Sequence, residues 1–302
     1  VPDGVRAVSS LLHAPVLARD VPALRAAIGT ARTARSGRVG FVPTMGALHA
    51  GHRALVERAR RECAVVVASV FVNPSQFNDA TDLARYPRDE EGDVALLAAA
   101  GADVVYLPTP DVVYPPGFST WVDVEGLTGV LEGAHRPGHF RGVATVVTHL
   151  LRAADPDVAY FGEKDWQQLQ VIRRLARDLW LDVVIASVPT VRDDDGLALS
   201  SRNARLDADA RRAAGALPAA LRAVQQAFAA GERSVQALEG ALRDVLERAS
   251  GVRVDYACVV HAESLAPIVQ ADGASRALVA AHVGGVRLID NAALGEPLGG
   301  PS

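Results

Sequence analysis

Apolar residues fall along this chain in short β-branched runs separated by longer stretches of helical period. Val39 to Val42 and Ala64 to Val72 (AVVVASVFV) are continuous runs, and Val104 to Leu107, Val158 to Phe161 and Val183 to Val188 repeat the pattern. Runs of this length suit strands buried on both faces of a parallel sheet. Between them Leu55, Val56 and Ala59 recur at helical spacing with Arg and Glu in between, while Asp89 to Ala100, Gly142 to Ala154 and Trp166 to Leu179 read as further helices. Repeated strand and helix over the first 190 residues predicts an α/β fold with a Rossmann-like, doubly wound parallel sheet. Thr109 to His139, rich in Gly and Pro, is expected to be an insertion near the site, and Gly29 to Gly40 and the tail from Gly295 read as loop and chain end.

The pattern changes beyond Val191. RDDDGLALSSRN is polar and reads as a hinge; Ala-rich helices from Ala208 to Ala230 and Val235 to Ala249 follow it. Val252 to Val260, Arg276 to Val283 and Val286 to Asp290 are β-rich, predicting a small antiparallel sheet under those helices. The expected organisation is a first domain over residues 1–190 and a smaller α+β C-terminal domain over 191–302.

Composition narrows the partners. A formal charge of −4 over 302 residues supplies no basic footprint for nucleic acid and no polybasic membrane patch, so small-molecule substrates fit better. No apolar run reaches transmembrane length, the N-terminus shows no basic segment leading into a signal-peptide core, and two Cys without a spacing pattern suit a reducing compartment, so a cytoplasmic location is expected. Of 31 basic side chains apart from His, only Lys164 is a lysine. An Arg fork cannot reproduce a compact, mobile ammonium, so this exception points to a place where a point charge is required; chance, which could leave one lysine anywhere, is the plainer alternative.

Candidate chemistry lies where strands end. After Val39 to Val42 comes PTMGALHAGH, and a helix beginning near Ala50 to His52 would aim unpaired N–H groups and a positive dipole end at the crevice above the strand. His49 and His52 would project together there and donate to phosphate oxygens, with Gly51 permitting close approach. Surface histidines would look the same, whereas a zinc site lacks its further ligands. Asn73 and Gln76 follow the second strand in an ordinary turn sequence that would also place two amides beside the crevice. In YFGEKDWQQLQ, Lys164 opens a helix after the fourth strand; Asp165 can cap that helix or bond a ribose hydroxyl, and Gln168 lies one turn on. A capped surface helix with a Glu163–Lys164 pair is the plainer alternative. Ser200, Ser201 and Arg202 form a polar cluster suited to β- and γ-phosphate oxygens.

PTMGALHAGH, FVNPSQF, YPRDEEGD, RPGHFRGV, FGEKDWQQ and GLALSSRN resemble, in order and spacing, the motifs of the pantoate-β-alanine ligase (pantothenate synthetase) family, a branch of the HIGH-motif nucleotidyl transferases. The resemblance runs from about Val39 to Asn203, with scattered agreement to Asp290-Asn291. It implies a two-step reaction in which pantoate and ATP give pantoyl adenylate and β-alanine then displaces AMP, with Mg²⁺ as the cofactor and a homodimeric enzyme. By the same resemblance His49, His52 and Lys164 meet the ATP phosphates and Ser200, Ser201 and Arg202 the pyrophosphate. Met45, Gly162, Asp165 and backbone near Val191 contact the nucleoside, Gln76 and Gln168 hold pantoate beside Asn73, Arg136 and His139 border the site, and Asp93 matches a magnesium-side carboxylate. Two positions depart from the family: Leu199 replaces its usual Met, and Gly92 stands before Asp93 where some relatives carry an acid. Two other classes share features of the pattern: an adenylyltransferase acting on a phosphorylated substrate, which has no reason to need NPSQF with EKDWQQ, and a non-catalytic ATP-binding module, which does not need phosphate-gripping signatures on separate domains.

Overall fold

The computed structural model describes residues 14–298. Strands β1 (Val16–Ala18), β2 (Val39–Thr44), β3 (Val65–Val70), β4 (Val104–Tyr106), β5 (Val158–Gly162) and β6 (Val184–Val188) form one sheet in the order β1-β4-β3-β2-β5-β6. Every pairing in it is parallel. The five apolar runs all appear as strands: β2 to β5 are buried under helices on both faces, whereas β6 forms the sheet edge with Val184 exposed. Val39, Phe41, Val65 and Val67 point into a core completed by helices Val21–Ala34, His139–Ala154 and Trp166–Asp178. Val42, Val66 and Ala68, one step out of phase, meet Leu55, Val56 and Ala59 of helix Ala50–Glu62 and Leu97 of helix Glu90–Ala100.

The start of the sheet departs from expectation. Gly29 is no loop residue but lies within helix Val21–Ala34, and Val39 and Gly40 open β2. Leu24 and Ile28 give that helix its buried stripe, and the Asp20 carboxylate caps it by accepting the Ala23 N–H at 2.8 Å. The leader reading at the N-terminus and the last residues of the tail lie outside the described residues.

Connectivity positions the site. From β2 the chain steps outward through β3 to β4, then returns along helix His139–Ala154 to place β5 on the other side of β2. Strand order thus reverses between β2 and β5, and the loops leaving their carboxyl ends diverge around a crevice where ligands of open α/β sheets bind.

A second lobe follows β6. Helices Ala208–Ala214, Ala216–Ala229 and Val235–Arg248 cover one face of an antiparallel sheet of β7 (Val252–His261), β8 (Ser275–Val283) and β9 (Val286–Ala293), in that order. The Ala-rich stretch expected from Ala208 to Ala230 divides at Gly215. Leu217, Leu221, Leu238 and Leu242 pack on Val279 and Leu288 as a separate core. Gly284 and Gly285, at φ of 55° and 74°, make the two-residue turn from β8 to β9 in the left-handed conformation such hairpins require. No helix among the described residues is long and apolar enough to cross a membrane.

Candidate active site

The loop after β2 turns on Gly46 (φ 83°) and Ala47 (φ 52°) before helix Ala50–Glu62 begins. His49 is the residue that caps this helix, not a member of its first turn. Its Nδ1 accepts the Gly51 N–H at 3.2 Å, while His52 Nδ1 accepts the His49 N–H at 3.3 Å, a capping box built from two imidazoles. With both Nδ1 atoms occupied as acceptors, each neutral ring carries its proton on Nε2. Burial, reinforced by the Lys164 charge, lowers the His49 pKa to about 4; burial, reinforced by His49, lowers that of His52 to about 3. Two neutral N–H donors, with ring centroids 4.2 Å apart, therefore stand at the mouth of β2.

The loop after β3 supplies a rigid amide platform. Asn73 accepts from Ser75 Oγ at 2.9 Å and Tyr114 Oη at 2.7 Å, and its Nδ2 donates to Gln76 Oε1 at 3.0 Å and Gly142 O at 3.1 Å. Asn73 thus commits its amide to the scaffold and fixes that of Gln76, whose Nε2 points to Met45 Sδ at 2.9 Å. Sulfur is a weak acceptor, so this amide nitrogen has donor capacity left for a ligand oxygen. From the insertion, His139 Nδ1 and Arg136 Nη2 both donate to the Gln76 carbonyl, at 2.9 and 3.3 Å, and His139 Nε2 accepts from Arg136 at 3.2 Å. Burial and the Arg136 charge bring the His139 pKa down to about 4.

After β5, a 3₁₀ turn over Glu163–Asp165 leads into helix Trp166–Asp178. Glu163 pairs with Arg276 of β8 at 3.3 Å, and not with Lys164 as the plainer surface-helix alternative had it. Asp165 occupies the capping position of that helix without making a side-chain cap, so its carboxylate, 3.8 Å from Lys164 Nζ, remains available. Ser200 caps a 3₁₀ turn over Ser201–Arg205, accepting the Arg202 N–H at 3.3 Å, and Arg202 and Arg205 both reach Asp82 at 3.3 Å.

These elements enclose one cavity of about 240 Å³. Met45, His49, His52, Asn73, Gln76, Arg136, His139, Gly162, Lys164, Asp165, Gln168, Val191, Ser200, Ser201 and Arg202 all line it. Asp93 does not. Its buried carboxylate accepts the Ala47 and Leu48 N–H groups at 3.1 and 2.8 Å, bracing the loop that delivers His49. The described residues contain no group of three His, Cys, Asp or Glu arranged to hold a metal, and Asp165 is the one carboxylate among those lining the cavity. A magnesium ion here would thus depend mainly on oxygens brought by its ligand, the usual habit of that ion at phosphate sites.

A family model described as pantoate-beta-alanine ligase matches residues 16–293. The chain belongs to the pantoate-β-alanine ligase family. It is 51% identical over 278 residues to the pantothenate synthetase of Acidiphilium cryptum, covering 92% of this chain and 99% of that one. With the pantothenate synthetase of Deinococcus radiodurans it shares 54% identity over 264 residues, 85% and 94% of the two chains. A crystal structure of pantothenate synthetase from Thermus thermophilus superimposes with a TM-score of 0.87 at 49% identity, covering 92% and 99%. A pantoate-β-alanine ligase from Francisella tularensis, solved with Beta-gamma ATP and Beta-alanine, gives 0.76 at 31% identity over 95% and 100%.

The structure also brings to the site and the lobe junction residues that the sequence reading did not single out. Tyr86 lines the cavity and donates to the Gly46 carbonyl at 3.4 Å; its place in YPRDEEGD was the available signal. Glu132, in the insertion, accepts the Arg287 fork at 2.6 and 2.7 Å and the Tyr256 hydroxyl at 2.9 Å, joining the two lobes. Burial pushes the Glu132 carboxyl up, but the Arg287 contacts and the Tyr256 bond outweigh it and hold the pKa below the ordinary value. No sequence signal pairs these residues, since the contact exists only once the lobes meet.

Proposed function

We propose that this ligase joins pantoate to β-alanine at the expense of ATP by way of a pantoyl adenylate. A pantoate carboxylate oxygen attacks the α-phosphorus, the bond to the β-phosphate oxygen breaks and pyrophosphate leaves. The neutral amine of β-alanine then attacks the acyl carbon, the acyl–phosphate C–O bond breaks, AMP leaves and the amine loses a proton. Pantoate is ionised at neutral pH and needs no general base, so the first barrier is one of charge and position. In this reading the Nε2–H groups of His49 and His52, with Lys164, take the charge developing on the α-phosphoryl oxygens, and Ser200, Ser201 and Arg202 take the pyrophosphate. Gln76 and Gln168 hold pantoate on the platform built by Asn73, Arg136 and His139; Met45, Gly162, Asp165 and the Val191 backbone receive the nucleoside. Magnesium arrives with ATP, and Asp93 serves the loop.

The observation that carries the proposal is the convergence of the chain's single lysine, two neutral imidazole donors and the Ser-Ser-Arg turn on the cavity where strand order reverses. The Francisella neighbour, with its two bound ligands, supports ATP and β-alanine as substrates. We assign nucleotide and pantoate binding to residues 1–190 and a lid to 191–302, and we further propose a cytoplasmic homodimer. Incorporation of labelled pyrophosphate into ATP tests the chemistry: it is expected with pantoate and magnesium and without β-alanine. If AMP forms only once β-alanine is added and no exchange occurs, the stepwise adenylate is wrong.

A further inference from the structure

We infer that Asn291 of β9 is a positioning residue for Lys164, so that the second lobe fixes the conformation of the residue bearing the chain's only ammonium side chain. The inference rests on the adenylation reading above for its catalytic consequence, but its geometry stands independently.

The Asn291 side chain is almost fully enclosed, at 3% exposure. Its Nδ2 donates to the Glu163 carbonyl at 3.0 Å and to the Lys164 carbonyl at 2.9 Å. Those two carbonyls belong to the peptide planes on either side of the Lys164 Cα. Holding both removes the main freedom of that residue, a concerted rotation of its flanking planes, and so fixes the direction in which its side chain leaves the backbone. The amide cannot flip, because Oδ1 accepts Arg276 Nε at 2.6 Å. A flipped amide would set oxygen against two carbonyls and N–H groups against a guanidinium. The backbone N–H of Asn291 is itself tied to Asp290 Oδ1 at 2.8 Å.

Arg276 does the complementary work. Its guanidinium lies over the Trp166 ring, 3.4 Å from the centroid, and pairs with Glu163 at 3.3 Å. This draws the neighbouring carboxylate toward the second lobe and away from the ammonium. A stacked, buried cation that donates in two directions, to Asn291 and to Glu163, suits the Arg fork better than a Lys ammonium. Arg276 lines neither cavity, and Asn291 borders only the adjoining one that shares Lys164, Asp165 and Gln168 with the His49–His52 cavity; with its amide oxygen and both amide N–H groups committed to protein partners, Asn291 acts through Lys164 and not on the substrate.

Asn291→Asp provides the test. The new carboxylate keeps the size and the Arg276 contact but faces two carbonyls with oxygen. For a misplacement of about 1 Å, we expect kcat for pantoate-dependent pyrophosphate exchange to fall roughly 10- to 100-fold, with the pantoate KM within about threefold, because Gln76 sits on another element and the helix bearing Gln168 is anchored separately by Trp166 Nε1 donating to the Ala262 carbonyl at 2.7 Å. Acetylation of the folded apo protein, read at Lys164 by peptide mapping, should change in rate by at least about threefold, a readout that does not depend on turnover. Asn291→Ser, which keeps one donor, should fall between wild type and Asn291→Asp in both readouts, and it carries the comparison alone if Asn291→Asp does not fold. Variants that melt at lower temperature yet exchange and acetylate at the wild-type rate would overturn the inference, leaving Asn291 a simple interlobe contact. Absence of exchange in the wild-type protein would instead defeat the adenylation reading, and the acetylation comparison would still decide whether Asn291 positions Lys164.

Discussion

At the scale of single residues, the histidine pair shows how local structure sets chemical state. Each Nδ1 is an acceptor for a backbone N–H, so protonating either ring breaks a cap as well as burying a charge. Their folded pKa values, about 4 and 3, lie below the ordinary 6.5, so the unfolded chain takes up protons first. Stability is therefore full above pH 6.5 and falls as the pH drops through the window down to 3. Denaturant titrations from about pH 7 to about pH 4 should show a shallower decline for His52→Gln than for wild type; parallel curves would remove His52 from that window. Replacing His49 or His52 with Ala should slow pyrophosphate exchange by roughly 10²- to 10³-fold, the cost of one preorganised donor, and a variant that unfolds at neutral pH would mark a core histidine instead. For Lys164, an acyl-phosphate analogue of ATP should label one lysine, ATP with magnesium should block it, and Lys164→Arg should lose labelling and most exchange because a fork cannot replace a point charge. Labelling that continues under saturating ATP would detach the lysine from the nucleotide.

Elements carry the next layer, and here the parts of the fold differ in how plainly the chain declares them. Strands β2 to β5 are legible because burial on both faces leaves β-branched runs, and edge strand β6 keeps such a run although Val184 is exposed; the residues just beyond the carboxyl ends of the central strands are where a ligand must be met. Strand β1 is no shorter than β4, but it lies at the sheet edge with Val16 and Leu17 about half exposed and lacks the β-branched run that burial gives β4, and with it helix Val21–Ala34 goes unread. Asp93 is misleading for another reason: a carboxylate in an acidic first turn looks like a cation ligand, and only the folded loop reveals that two backbone N–H groups claim it. The close contact of helix His139–Ala154 with the Asn73–Gln76 turn is likewise invisible until built. A Cβ on Gly142 would lie 2.5 Å from the Ser75 carbonyl oxygen and 2.8 Å from Gln76 N, against backbone that cannot swing aside. Gly142→Ala should therefore cost about 1–3 kcal/mol of stability and, by displacing Gln76, raise the pantoate KM about tenfold while leaving that for ATP nearly unchanged. Equal rises in both constants would place the turn outside the pantoate site.

For the whole molecule, one ionic contact secures the hinge segment within the second lobe and another joins the two lobes, and their environments set different costs. Arg192, at the start of the segment after β6, meets Asp290 of β9 with both oxygens engaged at 2.7 and 2.9 Å and both side chains essentially without solvent. Truncating one partner strands a buried charge, so Arg192→Met should cost about 3–5 kcal/mol, whereas adding Asp290→Leu should restore part of that loss, because an apolar pair needs no desolvation while the Asn291 N–H loses its acceptor. Glu132 and Arg287 form the clamp between insertion and second lobe, but Asp255 also holds Arg287, at 2.8 Å. Glu132→Ala leaves that arginine partnered, so the loss should be nearer about 1–3 kcal/mol. The two variants should also differ in where they open. Hydrogen exchange after Glu132→Ala should quicken in the insertion and along β7 while β2 and β5 stay protected, since their core is untouched. After Arg192→Met it should quicken around the 192–198 hairpin and β9. Exchange that rises uniformly through both sheets in the Glu132 variant would mean that the lobes unfold as one unit and that this clamp does not govern their separation.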